Sequence, residues 1–211
     1  ESKEGCQSTF FLSFFVTIWA TGFFMVAFLL LANPFVLMIF GSDCVITDFR
    51  IIASIAFLYF IQDTHSISAV YRYSMGVFRQ GRYAPLAASA LNVVLSILFY
   101  KIIGVPGLYI STVVARIITL GIVDAYLILG GKVGVIKYFK KSLVYLAVII
   151  ALFIPLKLVF DMFVLNSVIK WLAAAVALTV IYNLLWLVIF ARTADCKNVL
   201  AYVKRLVKVR S

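Results

Sequence analysis

From Thr9 to Phe40 the chain runs thirty-two residues without a charged side chain. About 20 apolar residues in a helix suffice to cross the ~30 Å hydrocarbon core of a bilayer. A run of that length does not fit inside a small soluble core, so the solvent for this segment is lipid. Further apolar runs follow it. They are continuous and lack a period of two, which favours membrane helices over a β-barrel. Composition agrees. The 211 residues are 65% hydrophobic and 13% charged, roughly half the charge fraction of an ordinary soluble domain.

The sequence predicts an all-α integral membrane protein with about six transmembrane helices. The first covers Thr9 to Phe40, with a kink expected at Asn33-Pro34 and Gly41 ending the helix. The second runs from about Arg50 to Met75, the third from Tyr83 to Ile103 and the fourth from Leu108 to Leu129, with the turn "GVPG" between the last two. The fifth covers Ser142 to Phe160 and the sixth Ser167 to Phe190. After them, Val199, Tyr202, Val203, Leu206 and Val209 recur at helical spacing among Lys204, Arg205, Lys208 and Arg210. That pattern suits a basic helix lying on anionic lipids or, equally, a solvated tail.

Lysine and arginine fix the expected orientation. One alternating set of loops holds fourteen of them and the other holds four, with Arg116 inside a span. Both ends of the segment are therefore expected on the cytoplasmic side. The net charge of +11 reads as a topology signal, and no nucleic-acid-binding face is visible. Cys6, Cys44 and Cys196 are scattered and have no metal-ligand spacing. There is no nucleophile elbow, paired-His zinc motif, P-loop or GxGxxG. An enzyme is not expected, and nothing calls for a cofactor. The start at Glu1 and the lack of a signal peptide fit a piece of a longer protein.

The second span is unusual because it carries Gln62, Asp63, Thr64, His65, Ser66, Ser68 and Arg72. Charges at the bilayer centre cost roughly 2.5–3.5 kcal/mol on insertion scales, so they normally face a bundle interior or a hydrated path. His65, Ser68 and Arg72 share one helix face, while Asp63 lies on the opposite one. Asp63 must meet a partner from another helix (Arg116 is one choice), reach water or be protonated. Arg116 and Asp124 on the fourth span stand about 12 Å apart along the axis, too far for a direct salt bridge. Asp124, nearer the cytoplasmic end, is expected to snorkel to the interface. His65 fits either a neutral core histidine or a titrating group, and the hydroxyls fit close helix packing or a solvated cavity.

The segments "ESKEGCQSTFFLSFFVTIWATGFF", "NPFVLMIFG" and "RYSMGVFRQGRYAPLAASALNVVLSILFYKIIGVPGLYISTVVARI" resemble bacterial oligosaccharide and polysaccharide repeat-unit flippases. These belong to the multidrug/oligosaccharidyl-lipid/polysaccharide exporter superfamily. The features that carry the resemblance are Arg72, Ser74, Gly76, Val77-Phe78, Arg82-Tyr83, Pro85-Leu86, Asn92, Ser96, Gly104, Gly107 and Ser111-Thr112. The family more often has Gly where this chain has Ser111.

The resemblance implies a two-lobed, MATE-like transporter of which this chain is the C-terminal half, with an N-terminal lobe of the same protein as partner. Residues 1–130 would be the last four helices of the C-terminal lobe. Residues 131–191 would be two additional terminal helices, and 192–211 a basic cytoplasmic tail. The implied activity is translocation of a polyprenyl-diphosphate-linked oligosaccharide from the inner to the outer leaflet of the bacterial cytoplasmic membrane, for cell-surface polysaccharide synthesis. On that reading Arg116 and Arg72 face the diphosphate, Arg72 near the cytoplasmic entrance. Asn92, Ser96 and Tyr100 offer a seam for sugar hydroxyls. Asp63, His65 and Asp124 are the candidates for coupling to a proton or sodium ion. The alternatives are a drug/cation antiporter of the same superfamily and a non-transporting scaffold of a glycan-assembly complex.

Overall fold

The computed structural model describes residues 3–77 and 79–210, with the backbone alone at 3, 4, 6, 203 and 205–210. These residues form seven helices. They are α1 (Lys3–Phe40), α2 (Phe49–Ser74), α3 (Ala84–Ile103), α4 (Val105–Leu129), α5 (Lys132–Phe160), α6 (Val168–Phe190) and α7 (Ala194–Arg210). Five of them, α1 and α3 to α6, are long and apolar enough to span a membrane. The protein is an all-helical, multi-pass membrane protein. The expected second span, α2, has 26 residues, about 39 Å of helix, so it falls short in composition and not in length. Its polar residues are the reason.

Helix boundaries follow local chemistry. α1 runs uninterrupted through Pro34 and stops at Gly41, whose φ of 85° few other residues adopt. Asp48 caps α2 by accepting the Arg50 backbone N–H at 2.9 Å, and Ser167 caps α6 through the Lys170 N–H at 3.3 Å. Gly104, at φ 72°, ends α3 and starts α4 in one residue. Pro106 then sits in the first turn of α4, where its missing N–H costs nothing. The helix therefore begins at Val105, three residues before the sequence expectation. α5 also begins early, at Lys132 and not Ser142. Its lysines lie on the first turns of the helix, where long side chains can reach past an apolar surface.

Packing centres on α1. Phe10, Phe14, Phe15 and Ile18 are buried against Tyr138, Tyr145 and Ile149 of α5 and Trp186 and Phe190 of α6. Lipid is as apolar as these side chains, so close van der Waals fit and aromatic geometry hold the helices together. Gly22 makes the fit possible. A Cβ there would stand 2.6 Å from Ile149 Cδ1 and 2.7 Å from Tyr182 Oη. Nearer the other end of α1, Trp171 of α6 donates its indole N–H to the Leu31 carbonyl at 3.1 Å. α2 packs on α1 and on α4, and α3 packs chiefly on α4. α7 is tied to α5 through Asp195, which binds Lys141 Nζ at 2.6 Å and accepts the Tyr145 hydroxyl at 2.6 Å. The backbone of the expected basic tail is helical to Arg210. The side chains of Val203, Arg205, Leu206, Lys208, Val209 and Arg210, on which its amphipathic reading depends, lie outside the described residues, as does Phe78.

Candidate functional site: the two polar faces of helix α2

Helical spacing divides the polar residues of α2 between two faces. Thr64, His65, Ser68 and Arg72 point inward and are buried. Their counter-charge is Asp124 of α4, with none of its side chain accessible. Arg72 Nε lies 2.8 Å from Asp124 Oδ1, and His65 Nε2 lies 3.1 Å from Oδ2. Neither nitrogen is aligned for a hydrogen bond, so the carboxylate sits between two bases at ion-pair distance. Tyr138 of α5 stands beside Ser68 and Asp124 and closes the cluster from the third side.

Arg72 is held on its far side as well. Its guanidinium lies over the Tyr73 ring, 4.8 Å from the centroid, and donates to the Tyr73 hydroxyl at 3.4 Å. The loop to α3 crosses it at Gly81, where an added Cβ would run into the guanidinium.

Two expectations are corrected here. Asp124 does not snorkel, because it is sealed in the bundle as the partner of Arg72 and His65. Arg72 does not stand open at a cytoplasmic entrance. It is 3% exposed and its charge is neutralised. The sequence reading missed the contact because α4 is not a uniform α-helix. Residues Ile117–Gly121 form a π turn, which absorbs an extra residue and often marks a functional segment. At about 100° per residue, Arg116 and Asp124 would stand about 80° apart on a regular helix. One residue taken up by the wide turn brings them to within about 20° of one face.

Arg116 itself is half-buried near the middle of its span and has no hydrogen-bond or ion-pair partner among the described residues. It contributes to a cavity of about 210 Å³ between α1, α2, α4 and α5, together with His65, Thr64 and Tyr138. It also borders a groove between α3 and α4. The pairing of Arg116 with Asp63 does not form.

The outward face of α2 carries Tyr59, Gln62, Asp63 and Ser66, all exposed. Ser66 returns its hydroxyl to the Asp63 carbonyl at 2.6 Å. The Gln62 and Asp63 side chains have no partner among the described residues. Asp63 and Tyr59 border a groove of about 570 Å³ whose other wall is α1, at Thr21, Phe24 and Phe28. Asp63 and His65 are both on α2, yet they serve opposite sides of it.

The expected sugar seam on α3 is occupied. Asn92 Oδ1 accepts from Ser96 at 3.2 Å, Ser111 at 3.2 Å and Thr112 at 3.1 Å, and Ser96 and Ser111 are 2.8 Å apart. Each hydroxyl has one proton, and Ser111 and Thr112 also reach the Leu108 carbonyl at 2.8 and 3.0 Å, so the three share the Asn92 oxygen by turns and the knot joins α3 to α4. Gly107 permits the approach, since a Cβ there would collide with the Phe99 backbone. Tyr100, 53% exposed, lies outside the knot.

Among the described residues no three of His, Cys, Asp and Glu gather to hold a metal ion. Compared with family models, with curated proteins and with solved structures, the chain matches none.

Proposed function

We propose that this chain forms one wall of a solute path through the bacterial cytoplasmic membrane, and that the solute is a polyprenyl-diphosphate-linked oligosaccharide moved from the inner to the outer leaflet. One observation carries the reading. Gln62 and Asp63 lie exposed and unpartnered on the outward face of a helix otherwise surrounded by membrane spans. Polar groups at that depth are costly in lipid and normally face protein or a water-filled path. The sequence resemblance supplies the substrate class and the expectation of a second, facing lobe. The distribution of lysine and arginine supports the orientation with both ends of the segment cytoplasmic.

The carboxylate and amide of the stripe accept hydrogen bonds, and the amide and hydroxyl also donate them. The Gln62 and Asp63 side chains are unpartnered among the described residues, whereas the Asn92 oxygen is already shared among three hydroxyls. The groups are spread along the helix and do not converge on a point, so they suit a chain of hydroxyls. The work is binding and passage, with no bond made or broken. Of the three candidates for coupling to a proton or sodium ion, Asp63 is the one that borders an open groove, while His65 and Asp124 are closed in with Arg72.

A second reading, the drug/cation antiporter, has one observation in its favour: Asp63 shares its groove with Tyr59, Phe24 and Phe28, an acid among aromatic rings. Reconstitution separates the two. The full-length protein in liposomes is given a lipid-linked oligosaccharide, with lectin access reporting the leaflet, or a cationic dye. Movement of the lipid-linked sugar that drops in Asp63→Asn supports the proposal. Dye uptake without sugar-lipid movement replaces it with the antiporter.

A further inference from the structure

α6 packs on α1 and, through Trp186 and Phe190, on Tyr145 of α5. Its inner face is Leu178, Tyr182, Trp186 and Phe190, all buried. On another face Leu172, Val176 and Thr179 are exposed. Lipid covers most of that face at no cost, since its Leu and Val side chains are as apolar as acyl chains. Asn183 is the exception. It lies half-buried in the same row, thirteen residues after Lys170 and nine before Arg192, with no charged side chain between those two. At 1.5 Å per residue these separations are about 20 and 14 Å, so the amide stands near the middle of the span. One of its N–H groups donates to the Thr179 carbonyl at 2.7 Å. The second N–H and the oxygen have no partner among the described residues, and an unmet polar group at that depth is costly.

The neighbours of Asn183 have a pattern. Leu172, Val176, Thr179 and Asn183 follow one another at intervals of four, three and four residues. At about 100° per residue they fall within about 60° of one another. This is the a/d seam of a left-handed helix pair, a geometry that membrane bundles share with soluble coiled coils. Val176 and Asn183 take the a positions, and Leu172 and Thr179 the d positions. A β-branched residue at a with Leu at d favours two strands, and a single Asn at a fixes their register. Thr179 returns its hydroxyl to the Ala175 carbonyl at 2.8 Å, so it asks nothing of a partner.

Symmetry selects the partner. Copies of one membrane protein insert in the same orientation, so a two-fold axis relating two of them runs along the membrane normal. α6 then meets α6 in parallel, and each residue meets its own copy at its own depth. An amide is its own complement, donor and acceptor in one group. We infer that the exposed seam of α6 is the contact between two copies of this chain, with Asn183 hydrogen-bonded to the same amide of the second copy. Such bonds between membrane helices hold them together where the hydrophobic effect does not. The contact does not rest on the translocation reading, since it involves neither face of α2.

The test uses the full-length protein carrying one fluorophore, reconstituted in liposomes at falling protein density and read by single-molecule photobleaching. Native protein is expected to bleach in two steps until dilution separates the copies. Asn183→Leu should weaken association about three- to twentyfold, the range of one hydrogen bond between membrane helices, and Asn183→Gln should keep part of it. A second measurement locates the seam. With the native cysteines replaced, Val176→Cys should form an oxidative cross-link between copies. Ile181→Cys, exposed on the far side of the helix, should not. The cross-links decide alone if Asn183→Leu unfolds. One-step bleaching at every density, association unchanged in a folded Asn183→Leu, or equal cross-linking at the two positions overturns the inference. A cross-link from Val176→Cys to a protein of different mass gives the face to another partner and overturns it as well.

Discussion

On one side of α2, Thr64, His65, Ser68 and Arg72 are closed in by α4 and α5. On the other, Tyr59, Gln62, Asp63 and Ser66 look outward. Both sides place ionisable groups on a helix that packs against two candidate membrane spans, α1 and α4, and the residue types alone do not say which is structural. What separates them is satisfaction of charge. Arg72 and His65 share a carboxylate that no solvent reaches, so changing either alters the fold. Asp63 and Gln62 have no side-chain partner among the described residues, so on the proposed function changing them costs binding and leaves the fold in place. A polar residue in a membrane helix is thus assigned by its partner, not by its depth.

The largest test of that contrast is Asp124→Ala. It leaves Arg72 buried with no counter-charge, and removal of one member of a buried pair costs about 3–5 kcal/mol. Unfolding in detergent should show most of the stability lost. The paired variant Arg72→Met with Asp124→Leu should recover much of it, and no recovery would mean that the charges are held for another purpose. Gly81→Ala comes next. Arg72 is fixed by Asp124 and cannot step aside for the new methyl, so about 1–3 kcal/mol of overpacking strain is expected as a lower melting temperature.

Ser111→Ala takes the contrast to a sealed group without charge. It removes one donor from the Asn92 knot, and about 1 kcal/mol or less should go in the same measurement. Asp63→Asn should be the mildest for stability, within about 0.5 kcal/mol, while cutting movement of the sugar-lipid sharply. If Asp63→Asn unfolded the protein instead, the two faces of α2 would not differ as described.

Part of this arrangement was legible in the residues themselves. Spacing placed His65, Ser68 and Arg72 on one face and Asp63 opposite, because a regular helix obeys one period. The partner of Arg72 was not legible. Asp124 reaches it through a π turn, and nothing in "IITLG" announces a change of pitch. The seam at Asn92 and Ser96 was also visible by spacing, yet its occupants, Ser111 and Thr112, come from the next helix across a tight glycine turn. Burial between helices is a tertiary fact that periodicity within one helix cannot contain. The early start of α5 was hidden for another reason. Its lysines read as loop, although their alkyl stems belong on a helix that emerges from lipid.

Gly104 has a consequence for how the protein is made. Because one residue ends α3 and begins α4, the two helices have no slack between them and cannot enter the bilayer far apart in time. α3 leans on little besides α4, and its buried residues are only Ala84 and Ala88. During synthesis the pair would leave the translocon as a helical hairpin, with α3 carried in by its neighbour. α4 would then bring Asp124 to an α2 already in place, so the ion cluster closes only after the hairpin has arrived.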